Sequence, residues 1–399
     1  MKIKPGLIPR FNLDYNINDF LYGIKSVILE DHFDLGPLNR TFGKKRFFFT
    51  NSGRTSLYVI LRALNLPENS KIGVPLYSCT AVFDAIIQAG HIPCFIDIDL
   101  KNYTMDPNDL AGKIKDLGAV VVIHTFGRPA EIDEIKKVVE DKPLIEDCAH
   151  SLLSEYKGKK TGTIGDASFF SFRLRKYISV GEGSLIILNN DEFKDAFKKE
   201  IDLLQPHSKI NEIKHGIFTY ATSFLYHKPW FGLFAFPLIS SKREKEGYRV
   251  KNIKKEFKIA KIRKNDLSIF LRKFEVFKEK METQRKNSLF IIEKLQNEPI
   301  SLPYEKKDTL CNYYLFPLIF KNKNERENAH LSLRDLNIDT STLWSKTPIL
   351  AKGKYGYKGD CCNAEKCSDQ ILTIPNYYTL SDEKLAEITD CIIKLRGLA

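Results

Sequence analysis

Between residues 50 and 190, short apolar runs alternate with amphipathic stretches. Residues 54–66 (RTSLYVILRALNL) carry apolar side chains at helical spacing just after the turn signal Asn51-Ser52-Gly53, which predicts a helix. IGVP (72–75) predicts a short strand, and CTAVFDAIIQAG (79–90) a helix stopped by Gly90. IPCFIDI (92–98), AVVVIHTF (119–126) and PLIED (143–147) read as buried strands, with the amphipathic helix AEIDEIKKVVED (130–141) between the last two. GDASFFSF (165–172) and GSLIILNN (183–190) add two more β-rich runs. Strands about 25 residues apart with helices between them require parallel crossovers, so an α/β sheet is expected here. Ligands of such sheets sit at the carboxyl ends of the strands, where the polar residues of interest fall.

The second half has a different pattern. Residues 217–240 are aromatic-rich and nearly uncharged, but two prolines and Lys228 argue against a plain transmembrane helix. Residues 266–296 predict one long helix, 312–320 (NYYLFPLIF) a strand and 381–395 a terminal helix. The expected organisation is an N-terminal segment and large unit over 1–245, including 217–240, followed by a smaller α+β unit over 246–399.

Composition narrows the partners. The chain has 399 residues, 43% apolar and 28% charged, which is enough apolar content for a sizeable core. Its 62 basic and 50 acidic residues leave a net +12, and nine of those units fall in 242–280, where 15 Lys/Arg face 6 Asp/Glu. Such charge favours anionic partners, and without a nucleic-acid motif beside it nucleic acid is not expected. An aromatic stretch followed by a basic one also suits a membrane surface, although the prolines interrupt an amphipathic helix and favour a dimer contact or internal packing. The N-terminus has no apolar secretory core, and the eight scattered cysteines read as reduced thiols rather than a disulfide framework or a metal set. A cytoplasmic protein is expected, with a peripheral place on the inner membrane face as the variant reading.

Four features carry candidate chemistry. Ser52-Gly53-Arg54-Thr55 opens a helix, whose free N–H groups and dipole suit a phosphate. Asp147 ends a strand and could hold a cationic nitrogen, with Glu146, Cys148 and His150 beside it. Ser171 is the penultimate residue of GDASFFSF (165–172). Lys176 follows it by five residues and precedes Gly181-Glu182-Gly183; burial and the neighbouring Arg173 and Arg175 would lower its pKa. Singly, each feature has an ordinary structural explanation. In this order, they make up a pyridoxal-phosphate site: phosphate at the helix start, Asp on the pyridinium nitrogen, Lys on the aldehyde.

The sequence resembles the DegT/StrS family of pyridoxal 5'-phosphate-dependent sugar aminotransferases. The resemblance rests on VPLYSCTAVFDAI, PCFIDIDLKNYTMD, VVVIHTFGRPAEID, LIEDCAHS, YKGKKTGTIGDASFFSF and the lysine before GEG, with weaker matches to the C-terminus. It implies the α/β fold type I of PLP-dependent transferases: a large domain with a mostly parallel central sheet, plus a smaller α+β C-terminal domain. It implies Lys176 as the catalytic lysine, Asp147 on the ring nitrogen, His150 beside the ring and Ser171 on the phosphate. Gly53, Arg54 and Thr55 fall on the phosphate-cradling helix start. Three positions depart from the common pattern. Arg54 stands for a Thr, Cys79 for the aromatic stacked on the ring (Tyr77 lies two residues earlier), and Lys261 for an Asn that reaches the partner subunit's phosphate. A lysine rather than a histidine at 176 implies transamination, not sugar dehydration. The resemblance further implies a nucleotide-linked keto-sugar substrate, a glutamate or glutamine donor, a role in polysaccharide or other glycoconjugate synthesis, and a homodimer with shared active sites. The reading of a different class is a non-catalytic regulator or scaffold on the same fold, which the joint presence of Lys176 and Asp147 opposes.

Overall fold

The computed structural model describes residues 3–29, 33–238 and 256–395. Residues 239–255, with the end of the aromatic segment and much of the basic one, lie outside the described residues.

Seven strands form the central sheet: β1 (Arg46–Thr50), β2 (Lys71–Pro75), β3 (Ile92–Ile96), β4 (Leu117–Ile123), β5 (Leu144–Asp147), β6 (Ala167–Ser171) and β7 (Ser184–Leu188). Their spatial order is β1-β7-β6-β5-β4-β2-β3. The run from β6 to β3 is parallel throughout, and β7 is antiparallel to both β6 and β1. The sheet is therefore mostly parallel, as its sequence spacing predicts. β4 and β7 are nearly continuous apolar runs, and β5 and β6 are buried along their whole length, because helices cover both faces.

The helices that matter here are α1 (Ile17–Leu29), α2 (Gly53–Ala63), α3 (Thr80–Gln88), α4 (Ile132–Val139), α5 (Lys209–Tyr226), α6 (Lys264–Glu275), α7 (Phe277–Leu295), α8 (Lys323–Asp335) and α9 (Asp382–Lys394). α2 and α3 bury Leu57, Ile60, Leu61, Phe83 and Ile86 against one sheet face, while α6 buries Leu267, Ile269, Phe270 and Phe274 against the other with Phe172. A separate apolar cluster joins α7, α8 and α9 to the antiparallel pair β8 (Phe316–Ile319) and β9 (Ile371–Ile374). The N-terminal chain crosses to that cluster: Ile8 bridges Ile338, and Arg10 grips Asp339 through Nε and Nη2 at 2.6 and 2.8 Å.

Three expectations are corrected. The single helix over 266–296 is two helices broken at Val276, whose exposed side chain sits at φ −101°. The break lets Phe274 and Phe277 pack toward the sheet while Ile291 and Leu295 turn to the C-terminal cluster. The strand over 119–126 stops at Ile123, because His124 and Phe126 turn off the sheet and Phe126 takes φ +61°. The strand over 312–320 begins only at Phe316; before it, Asn312 donates to Leu152 O, its Oδ1 accepts from the Tyr314 N–H, and Tyr313 takes φ +48°. Internal packing also fails to explain the whole aromatic segment: α5 buries Gly216, Thr219, Ser223 and Tyr226 but exposes Ile217, Phe218, Phe224 and Leu225.

Candidate active site

The strand ends bring the named residues to one edge of the sheet. Glu146 and Asp147 close β5 and have opposite surroundings. Glu146 accepts from His124 Nε2 at 3.0 Å and from the N–H groups of Gly162, Ile164 and Gly165 at 2.8, 2.7 and 2.7 Å. His124 Nδ1 in turn accepts from the Ala130 N–H. Although His124, Glu146 and Cys148 lie close enough to suggest ligands for a metal, the carboxylate and the imidazole already have these partners. Asp147 is also buried, but among the described residues its one donor is the Ala149 N–H, at 2.9 Å on Oδ1. Burial raises its pKa, against the opposing pull of Lys176. A buried carboxylate so thinly supplied with donors is suited to a cationic ligand atom.

Lys176 sits on a tight excursion between β6 and β7. Its N–H donates to Arg173 O at 2.9 Å, and the Leu174 and Phe172 N–H groups donate to the carbonyls of Gly181 and Gly183 at 3.0 and 2.8 Å. Gly181 has φ +111°, and a Cβ there would lie 2.6 Å from His215 Nε2 and 2.8 Å from Thr219 Oγ1, so the turn requires glycine. The Tyr177 hydroxyl donates to Cys148 O at 2.8 Å, fastening this turn to the end of β5. The ammonium of half-buried Lys176 lies 5.5 Å from the Tyr314 ring centre, and Tyr314 holds the backbone by donating to Arg175 O. Desolvation is the main cause that brings the Lys176 pKa down from 10.5 to about 8, helped by Arg173 and opposed by Asp147 and Cys79.

His150 is buried and stays neutral, its pKa pushed well below the ordinary range by desolvation and then by Lys176. Its Nδ1 faces the Phe126 N–H at 3.4 Å, which leaves the proton on Nε2. Trp344 lies flat on its ring at 5.4 Å and 5°, and Tyr314 tilts against it at 5.0 Å. Sequence reading missed Trp344, Tyr314 and Arg10, the last of which lines a cavity with Lys176 and Tyr314. They reach the site from distant parts of the chain, and no local pattern marks them.

The helix start is built by Ser52, the N-cap of α2, whose Oγ accepts the Thr55 N–H at 3.3 Å. A Cβ on Gly53 would lie 3.4 Å from Ser171 Cβ, so the end of β6 and the first turn of α2 meet. The Thr55 hydroxyl is buried and donates to Asn51 Oδ1 at 2.6 Å, whereas the Arg54 guanidinium lies over the Phe257 ring at 5.0 Å. Thr55 thus completes the cap, and Arg54 is turned toward Phe257. Lys261 bridges Thr50 on the adjoining strand end, beside the same cap. Cys79 is the exposed N-cap position of α3 and adds no ring; Tyr77 is buried, with its hydroxyl on Leu343 O at 3.1 Å and its ring against Trp344 at 5.1 Å.

A half-buried lysine of lowered pKa, a nearly bare buried carboxylate and a helix N-terminus with a serine beside it match the donor set that pyridoxal phosphate requires. The comparisons agree with this chemistry. An uncharacterized protein of Methanocaldococcus jannaschii is 27% identical over 98% of both chains. The GDP-perosamine synthase of Escherichia coli O157:H7 is 25% identical, covering 86% of this chain and 83% of its own. The PLP form of the sugar aminotransferase Spr1654 of Streptococcus pneumoniae superposes with a TM-score of 0.79 over 98% of this chain and 99% of its own, at 16% identity. The DegT/DnrJ/EryC1/StrS aminotransferase family profile matches residues 37–393, so the chain belongs to that family of PLP-dependent sugar aminotransferases.

Proposed function

We propose that the chain moves an amino group from glutamate or glutamine to a nucleotide-linked keto-sugar, leaving the 2-oxo acid and an amino-sugar for polysaccharide or other glycoconjugate synthesis. The observation that carries this reading is the pairing of Lys176, at a pKa of about 8, with the buried strand-end carboxylate of Asp147. The GDP-linked product named for the Escherichia coli relative supports the nucleotide-sugar class.

When bound, pyridoxal phosphate supplies the electron sink that makes the donor's Cα proton removable. Lys176 Nζ would hold the cofactor's aldehyde carbon and, once the donor's amine has displaced it, would be the base that moves the proton at the donor's Cα. Asp147 would hold the ring nitrogen and favour its protonated form through its negative charge. His150 offers a neutral Nε2–H beside the ring. Ser171, the first turn of α2 at Gly53 and its neighbours Arg54 and Thr55 form the phosphate end, with Lys261 next to it. Cys79 would stand where the family's common aromatic covers the ring, with Tyr77 two residues earlier. The division of labour is between a cofactor-binding unit over 1–245 and a smaller unit over 246–399, with α6 packing on the first.

The test is spectroscopic. Purified protein with pyridoxal phosphate should show a visible absorption band, and borohydride should fix the cofactor on Lys176, read by peptide mass spectrometry. Persistence of the band in Lys176→Ala would overturn the assignment.

A second reading, on assembly, rests on the apolar strip of α5 and the turn after it. Phe218 and Leu238 are 69% and 68% exposed, and Phe224, Trp230 and Phe234 stack in sequence at 5.7 and 5.9 Å. We take a second copy of the chain as its occupant, giving a homodimer with shared sites in the cytoplasm; a membrane surface on the inner face is the competing occupant. Among the described residues, no helix is long and apolar enough to cross a membrane. Light scattering at dimer mass supports the first, and flotation with acidic liposomes lost on Phe218→Ser/Phe224→Ser supports the second.

A further inference from the structure

The residue before the reacting lysine has an unusual backbone. Residues 173–176 form a turn closed by the Lys176 N–H on Arg173 O at 2.9 Å. Its third residue, Arg175, takes φ +77°, in the left-handed region that glycine normally fills at such a position. A residue with a Cβ is strained there, so the surrounding structure must hold it. Two tyrosines from separate parts of the chain do so. The Tyr314 hydroxyl donates to Arg175 O, the carbonyl of the peptide that joins Arg175 to Lys176. The Arg175 guanidinium donates to the Tyr226 hydroxyl and lies over that ring at 4.9 Å.

Tyr314 is itself fixed on several sides. Its N–H donates to Asn312 Oδ1 at 2.9 Å, and Gln284 Nε2 donates to its carbonyl at 3.3 Å. Its ring meets Tyr177 edge-on at 5.5 Å and 79°, and lies 5.5 Å from the Lys176 ammonium and 5.0 Å from the His150 ring. Burial holds the phenol well above its ordinary pKa, so the hydroxyl stays protonated and able to donate.

We propose that Tyr314 is a positioning residue for the transfer: its hydroxyl holds the left-handed Arg175 and so aims the Lys176 amine into the site. This rests on the reading of Lys176 as the reacting amine. The aim matters because a half-buried lysine released from its turn would carry its ammonium out to water. The charged and titratable groups that face the amine are Asp147, Cys79 and Arg173, and none of them changes in Tyr314→Phe. That substitution also keeps the ring against Lys176, His150 and Tyr177, so its effect reports the hydroxyl alone.

The test places Tyr314→Phe in three full-length backgrounds: wild type, Arg175→Ala and Arg175→Gly. Both changes at Arg175 remove the guanidinium from Tyr226, but only glycine accepts the positive φ without strain. One readout is trace acetylation of Lys176 across pH in the cofactor-free protein. The other is the donor half-reaction of the cofactor-loaded protein. In wild type and Arg175→Ala, Tyr314→Phe should raise the Lys176 half-point by about half a pH unit or more. It should also slow the half-reaction about tenfold, while the half-saturating donor concentration changes less than about twofold. In Arg175→Gly the same substitution should slow the half-reaction about threefold or less. Equal losses in Arg175→Ala and Arg175→Gly, as a general failure of packing would give, would overturn the proposal. An unmoved half-point in Tyr314→Phe would overturn it as well. Both failures leave borohydride fixation on Lys176 of the wild type intact, so they are distinguishable from failure of the aminotransferase reading.

Discussion

The lowered pKa of Lys176 can be measured in the cofactor-free protein. Only the neutral amine reacts with an acylating reagent. A lysine at the ordinary 10.5 would be about 0.3% neutral at a pH of about 8, whereas one with a pKa of about 8 is about half neutral, a gain of about 160-fold. Trace acetylation across roughly pH 6 to 11, with the Lys176 peptide quantified by mass spectrometry, should give a half-point near 8 for Lys176 and near 10.5 for exposed lysines. The signs of two substitutions follow from the charges around the amine. Asp147→Asn removes the carboxylate that favours the ammonium, so the half-point should fall below that of wild type. Arg173→Gln removes a repelling cation, so it should rise. A half-point near that of surface lysines, or shifts of the opposite sign, would refute the claim that desolvation prepares this amine.

Other predictions concern the surrounding frame. Asp147→Asn should still bind pyridoxal phosphate but lose turnover by about a hundredfold or more in a donor half-reaction assay, because a neutral amide no longer favours the protonated ring nitrogen. Gly181→Ala should destabilise the fold by about 2 kcal/mol or more in denaturant unfolding, since the new Cβ would press on His215 and Thr219 at a positive φ. Glu146→Ala should cost about 3 kcal/mol or more by the same measurement, as His124 and three loop N–H groups lose their acceptor.

The sheet was legible because each strand is a short apolar run bounded by turn residues, and parallel order follows from crossover length. Asp147 and Lys176 were legible through order and spacing along one stretch of chain. Trp344 and Tyr314 were not, because they meet His150 only after the C-terminal elements pack against the sheet. Strand forecasts overran at 124–126 and 312–315 for a related reason. Apolar and aromatic side chains there look like sheet, but positive φ at Phe126 and Tyr313 turns the chain, so that the Phe126 N–H faces His150 and Tyr314 meets His150 and Lys176. The break at Val276 was hidden because both flanking helices continue one apolar rhythm, and only the change of packing partner separates them.

The two acids at the end of β5 carry one more consequence. Neighbouring side chains on a strand point to opposite faces, so a slip of one residue exchanges every inward and outward position. Glu146 and Asp147 would trade places under such a slip: the carboxylate that organises the 162–165 loop would be brought to the ligand edge, and its neighbour would be lost into the interior. Composition, charge and even the local acid pair would be unchanged, yet neither acid could do the other's work. A single deletion in the loop before Leu144 would therefore disable the protein more completely than many substitutions at the site itself, because alignment in the sheet, not acidity, decides which carboxylate meets the ligand.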